Sequence, residues 1–242
     1  AKPFIAADVL DGAERVFGLH TAHDLRSGTV GLKPGLNNAA VDHFRIEVHG
    51  KSTHVSTPHL GTDALYIASQ IVVAVQGLVT RMTSPTEPVI IGIGCLNAGT
   101  TYNAVAEHAV MEGTTRTVSQ ESRDRIRRLV SETANNIAAI YGGTAEIVWT
   151  DFAAALINDA EVCREAAAVA DSLLGEGHVV TDRELSLSGD NFAEFELYRP
   201  GAYAYLGTGN PDKPHTVISN HNGGFDVDED ALVTGAALYA GY

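Results

Sequence analysis

Residues 38–65, NAAVDHFRIEVHGKSTHVSTPHLGTDAL, decide the fold. Over residues 43–49 apolar Phe44, Ile46 and Val48 alternate with His43, Arg45, Glu47 and His49, the period of a strand with one buried face. Thr62 and Asp63 then form an N-cap arrangement, and Leu65, Ala68, Ile71, Val72, Val75 and Val79 recur at helical spacing. An amphipathic helix therefore follows the strand. Working outward, VIIGIGCL (89–96) reads as a second strand, and residues 107–117, after the AGTTYN turn, read as its hairpin partner. Ser119 caps a second helix with a stripe of Ile126, Leu129, Val130, Ile137 and Ile140, stopped by Gly142 and Gly143, and TAEIVWT (144–150) alternates as a fourth strand. The order βαββαβ predicts a ferredoxin-like antiparallel sheet with two helices on one face, over residues 38–150. The strand over residues 41–49 is expected at a sheet edge, where an unprotected strand pairs with a second copy of the chain.

The flanks alternate strand and helix. RVFGLH (15–20) is a short strand, Asn158 with Glu161 forms a capping box for a helix ending near Gly175, and HVVT (178–181) and AYAYLG (202–207) are further strands. A last helix, capped by Asp228, carries Leu232, Val233, Ala236 and Ala237 on one face. The fold class is α/β: residues 1–37 and 151–242 form one domain with too few strands for a full sheet, interrupted by the inserted unit at 38–150. Thirty acidic against sixteen basic residues give a net charge of −14, which argues against nucleic-acid and anionic-membrane partners. No segment is read as apolar enough to cross a bilayer. Cys95 and Cys163 form no Cys-x-x-Cys pair, so neither a disulfide framework nor a thiolate zinc site is expected, and a reduced, cytoplasmic setting fits.

Ten histidines in an acidic chain are the first chemical signal, since imidazole with carboxylate is a ligand set that zinc prefers. His43, His49, His108, His178 and His215 read as hydrogen-bonded or solvated residues. His20 ends an apolar strand, where metals and ligands collect in α/β sheets. His221 sits in a Gly-rich loop, NHNGGFDVDEDAL, ahead of an acidic helix start, and by itself reads as a surface residue. His23 and Asp24 have no standard ligand spacing and read as solvent-exposed. In HGKSTHVSTPHLG (49–61), His54 or His59 could donate to a developing oxyanion. Asn103 lies at the hairpin tip and Arg116 thirteen residues on, at the end of the returning strand. Arg116 offers a fork suited to a carboxylate, or is a solvated strand-end charge, and Asn103 is a ligand or a turn residue.

VFGLH, GKSTHVSTPHLGTDAL, GTTYNAVAEHAVMEGTTRT, SGDNFA and FDVDEDAL, in this order along the whole chain, resemble the hippurate hydrolase and auxin-conjugate amidohydrolase branch of the aminoacylase/carboxypeptidase family of zinc metallopeptidases. The resemblance implies part of a zinc-peptidase-like mixed-sheet domain with an inserted lid that forms a homodimer. It implies a two-metal site of divalent ions, zinc by type, with His20 and His221 as ligands. His54 would reach into the partner subunit's site and polarise the scissile carbonyl, while Asn103 and Arg116 would hold the carbonyl and α-carboxylate of a small N-acyl or N-aroyl amino acid. Asp190 stands where the family has Glu, Asn191 where it has Asp, and Asn222 and Gly223 replace a common Ser-Pro step, so no role is carried over to Asp190. The family's Cys, His and Glu-Glu machinery lies upstream of VFGLH and has no counterpart in these residues. The chain therefore reads as an incomplete fragment of a metal-dependent amidohydrolase, expected to bind divalent metal weakly or not at all and to show no amidase activity alone. The alternative is a non-catalytic dimerising or binding protein derived from that family. A serine hydrolase lacks support, for no Gly-x-Ser-x-Gly elbow occurs.

Overall fold

A computed structural model describes all 242 residues. They form two compact units: Ala39–Ala155 with Leu187–Gly189, and Ala1–Asn38 with Leu156–Ser186 and Asp190–Tyr242. In chain order the elements are α1 (Lys2–Ile5), β1 (Val16–Arg26), β2 (Val30–Gly31), β3 (Gly35–Asn38), β4 (Ala40–His49), α2 (Ala64–Met82), β5 (Ile90–Ala98) and β6 (His108–Thr117). After them come α3 (Gln120–Ile140), β7 (Thr144–Ala153), β8 (Leu156–Asn158), α4 (Ala160–Leu174), β9 (Val179–Val180), α5 (Ala193–Glu196), β10 (Gly201–Gly209) and α6 (Asp230–Gly241).

The unit built on Ala39–Ala155 is the antiparallel sheet β5-β6-β4-β7 with α2 and α3 on one face. Phe44, Ile46 and Val48 are fully buried beneath the helices, against Ile67, Ile71, Val75, Ile126 and Val130. Gly113 leaves the space that the Phe44 ring takes: a Cβ there would lie 2.3 Å from Phe44 Cζ. Asp63 caps α2, accepting the N–H groups of Leu65 and Tyr66 at 3.0 and 3.2 Å, and Ser119 caps α3 through the N–H of Ser122 at 3.1 Å. Gly142, at φ +77, takes the left-handed turn after α3.

Three expectations change here. The strand over residues 41–49 is not an edge: β4 pairs with β6 on one side and β7 on the other, and the edges are β5 and β7. Alternation reports which face of a sheet is wet, and it carries no information about lateral neighbours. The buried stripes are also rotated, with Leu65 and Ile140 exposed while Ala64, Ile67, Ala134 and Ala138 face the core. Finally, α2 is, by length and composition, long and apolar enough to cross a membrane. One side of it packs on the sheet, and Leu65, Tyr66 and Val73 lie exposed on its remainder.

The other unit holds the sheet β1-β10-β2-β9, with β1 and β10 parallel, and the small antiparallel pair β3-β8. Ala202, Ala204 and Leu238 join Val162, Cys163, Ala166 and Ala170 in a core that includes α4, and Phe17 and Leu19 pack on it. Gly18, His20, Tyr203 and Tyr205 occupy the alternate positions, on the opposite face. The cap of α4 is Asp159, not Asn158, whose buried amide bridges the backbone of Tyr203 and Lys33 instead. Asp228 lies one residue before Glu229, the N-cap of α6, and its Oδ1 accepts the Asp230 N–H at 3.4 Å. Its buried carboxylate takes Lys213 Nζ at 2.6 Å and Asn210 Nδ2 at 2.8 Å, and these contacts hold it well below the usual carboxylate range. On α6 the buried residues are Ala231, Gly235 and Leu238, while Leu232 and Val233 are exposed.

Glu196, at the end of α5, is half-buried; its Oε2 accepts the Ile157 N–H at 3.0 Å and its buried Oε1 has no partner. Burial, aided by nearby Asp159 and opposed by the Ile157 hydrogen bond, pushes it up to about 7 from the usual 4.5. A carboxyl with a raised folded-state pKa stabilises most below 4.5 and loses that contribution as pH rises through about 7. Glu196→Gln is therefore expected to match the parent in urea midpoint at pH 4.5 and to exceed it at pH 8 by on the order of 2 kcal/mol. The same difference at both pH values would remove this account.

Candidate functional site

In the unit built on Ala39–Ala155, residues 50–61 and the β5–β6 hairpin loop are stitched together. Val105 N–H donates to Thr53 O at 2.8 Å, Val55 N–H to Asn103 O at 3.1 Å, and His54 bridges Ala104. His54 and Asn103, remote in sequence, thus sit on adjoining backbone, and both side chains are exposed. His54 Nδ1 accepts the Ser56 N–H at 3.1 Å and lies 2.7 Å from Ser56 Oγ. Because a backbone N–H can only donate, Nδ1 is the acceptor and the ring proton of the neutral form is on Nε2. Asn103 Oδ1 accepts from Thr101 Oγ1 at 3.2 Å, which leaves its amide N–H groups as donors. Two N–H donors therefore face outward from one loop cluster, beside a cleft of about 290 Å3 lined by Ser52, Asn97, Thr100, Val105 and His108. His59 lies in an exposed helical turn, Pro58–Leu60.

Arg116 is at the far end of β6, half-buried, opposite Val41 on β4 and Ile90 on β5. Burial lowers its pKa without removing its charge. Eight residues of extended strand separate it from His108 at the hairpin end, roughly 27 Å. Asn103 and Arg116 of one chain are thus held apart.

In the other unit, the His20 ring stands over Tyr203 and Tyr205 with centroids 6.2 Å from each. Its Nδ1 lies 2.7 Å from the Thr21 carbonyl oxygen, which can only accept, so Nδ1 carries the hydrogen and Nε2 of the neutral ring keeps its lone pair. A ligand histidine oriented through its other nitrogen is the usual outer-shell arrangement, so the His20 donor fits a divalent metal. The loop bearing His221 is anchored on β1, since Asn220 Oδ1 meets His23 Nδ1 at 3.2 Å. His23 is accordingly half-buried and bonded, contrary to its reading as a solvated residue, whereas Asp24 is exposed and pairs with Arg183. His221 is exposed at φ +65, a left-handed conformation seldom taken by a non-glycine residue. Asp190 accepts the Tyr203 hydroxyl at 2.7 Å and the Phe192 N–H at 2.8 Å, a brace for the aromatic face beside His20.

Residues 40–142 match the model of the peptidase dimerisation domain. The chain is 34% identical over 241 residues to thermostable carboxypeptidase 1 of Saccharolobus solfataricus, covering 99% of this chain and 60% of that protein. It is 35% identical over 224 residues to N-acetyl-L-cysteine deacetylase of Bacillus subtilis, covering 93% of this chain and 52% of that protein. Among solved structures, a Bacillus subtilis protein described as a dinuclear metal-binding peptidase from the M20 family superposes with a TM-score of 0.79 at 30% identity, over 99% of this chain and 59% of that one. The chain thus carries an M20-type peptidase dimerisation domain and resembles M20-family peptidases over almost its whole length. It spans about three fifths of the length of the first of these relatives.

One further group carries ligand chemistry outside the residues the sequence motifs single out. Glu47, His49 and His108 offer ligand atoms within 4.8 Å of one another on the helix-free face of the sheet. Each histidine by itself reads as a hydrogen-bonded or solvated residue, and His108 is hydrogen-bonded, to Glu47. The signal that joins them is the register 49↔108 between β4 and β6, which no local pattern reports.

Proposed function

We propose that the protein is a metal-dependent amidohydrolase that cleaves the amide bond of N-acyl or N-aroyl amino acids, acting as a homodimer through its dimerisation unit. The observation that carries this is the pair of N–H donors on His54 and Asn103, clustered at one end of a sheet whose other end bears the guanidinium of Arg116. N–H donors of this kind, carried on adjoining backbone, suit the oxyanion that develops when water adds to an amide carbonyl. The Arg116 fork suits a free α-carboxylate. Relatives named as deacetylases of N-acetylcysteine have, by those names, a substrate of that class, which supports the substrate assignment.

A small acyl amino acid cannot span the length of β6, so His54 and Asn103 of one protomer would work with Arg116 of the other. Edge strand β5 offers a route. If two copies pair antiparallel through β5 about a two-fold axis, the hairpin end of one sheet comes beside the Arg116 end of its partner. The exposed residues on α2, which packs beside β5, would extend that contact. In this reading His20 and His221 hold metal, the His20 lone pair being kept ready by its bond to the Thr21 carbonyl. When bound, a divalent ion supplies Lewis-acid stabilisation of charge developing at the carbonyl.

In a longer protein carrying this chain, Arg116→Ala is expected to reduce kcat/KM for N-acyl amino acids by roughly thirty- to 160-fold, about 2–3 kcal/mol, while sparing the corresponding C-terminal amides. Equal losses on acids and amides would take Arg116 out of carboxylate recognition. Absence of hydrolysis of any N-acyl amino acid by a protein carrying this chain would remove the function itself.

A further inference from the structure

We propose that Glu47, His49 and His108 form a divalent-cation site of the zinc type, across strands β4 and β6, that ties together the roots of the loops bearing His54 and Asn103. His49 and His108 face each other directly in the antiparallel register. The Gly50 N–H donates to the Glu107 carbonyl at 2.8 Å, flanking this pair, which marks 49↔108 as a non-hydrogen-bonded pair. In such pairs the Cα atoms approach to about 4.5 Å and side chains lie closest. The two imidazole centroids are accordingly 5.2 Å apart. Glu47 precedes His49 by one full strand period and so shares its face, and its Oε2 meets His108 Nε2 at 3.1 Å.

The three ligand atoms lie within 4.8 Å of one another, close to the separations of about 3.3 Å that a tetrahedral ion with 2.0–2.1 Å bonds requires. Small side-chain rotations close the gap, and all three residues have solvent access that permits them. Two imidazoles with one carboxylate are a borderline donor set, matching zinc better than calcium or magnesium. Three protein ligands leave a fourth position for water. Arg45 is a competing feature: its guanidinium pairs with Glu47 Oε1, orienting the carboxylate but adding a positive charge beside the cation. The site therefore binds more weakly than its donors alone would give.

Its position gives the cation a consequence. His49 is followed directly by residues 50–61, and His108 directly follows the hairpin loop, so a bound ion would fix the bases of both segments that carry the outward N–H donors. The proposal departs from the expectation that the chain binds divalent metal weakly or not at all. That expectation counted only His20 and His221.

The test is titration of metal-stripped chain with Zn2+ against a chromogenic chelator, alongside thermal unfolding with and without Zn2+. The expected result is an equivalent of bound zinc that raises Tm and is weakened about tenfold or more by His49→Gln or by His108→Gln. His43→Gln, on the same face and paired with Glu112, should leave binding unchanged. Arg45→Gln should tighten binding. Far-UV circular dichroism checks folding, and Glu47→Gln supplies a second ligand variant should a histidine variant misfold. Failure of the wild-type chain to bind zinc at micromolar concentration would overturn the proposal. So would binding that survives both histidine substitutions, or that is lost only with His20 and His221. None of these outcomes depends on amidase activity, so the proposed function and this site stand or fall separately.

Discussion

In a longer protein carrying this chain, replacing His54 by alanine is expected to lower kcat for N-acyl amino acid hydrolysis by about 10²–10³-fold with little change in KM, the loss typical of one oxyanion donor. The Ser56 N–H to His54 Nδ1 bond fixes the proton on Nε2, so the ring arrives as a donor without reorganising when charge develops. His54→Gln, which keeps an N–H, should recover part of the loss. A stronger test uses two damaged chains. If His54 acts across a dimer on substrate held by the partner's guanidinium, co-expressed His54→Ala and Arg116→Ala chains form heterodimers in which one site is intact and the other doubly impaired. Random assortment then restores about a quarter of wild-type activity. If His54 and Arg116 act from one chain, the mixture stays as inactive as its components, and the two-copy reading fails.

The fold was legible wherever the signal is local. Alternation over residues 43–49, the Asp63 and Ser119 caps and the Gly142 stop each depend on a few neighbouring residues, and the βαββαβ order follows from them. Strand order is different in kind. That β4 lies between β6 and β7 depends on pairings more than fifty residues apart, and the expectation of an edge strand failed for that reason. The same limit separated the candidate residues. His54 and Asn103 were recognised one at a time by resemblance, but their common cluster exists only through the backbone bonds between residues 53–55 and 103–105. At Asn158 the local capping pattern was plausible and wrong, because a long-range polar partner, the Tyr203 backbone, claims the side chain. Capping patterns are only as good as the absence of such competition.

The largest expected stability effect lies in an ion pair that no periodicity reports. Asp42 is an inward position of β4, in line with Phe44 and Ile46, and it is 1% exposed. Arg123 of α3 meets it with two hydrogen bonds, Nε to Oδ2 at 2.9 Å and an Nη to Oδ1 at 2.6 Å. Breaking such a pair by removing one partner leaves the other charge buried and uncompensated. Arg123→Ala should therefore cost about 3–5 kcal/mol, and Asp42→Ala a similar amount. Replacing both by apolar residues of like volume, Asp42→Leu with Arg123→Met, should recover most of the loss or exceed the parent, since the desolvation of two charges is then avoided. Trp149, the only tryptophan, reads this unit selectively: it stacks 5.3 Å from Phe44, lies 5.1 Å from the Arg127 guanidinium and donates to Ser131 Oγ at 3.2 Å. Urea unfolding followed by its fluorescence isolates the unit even where the whole chain does not unfold in one step. A single-variant cost below about 1 kcal/mol would mean that water or neighbouring Arg127 and Asp151 already compensate the orphaned charge, and that the bridge is a surface-like pair despite its burial.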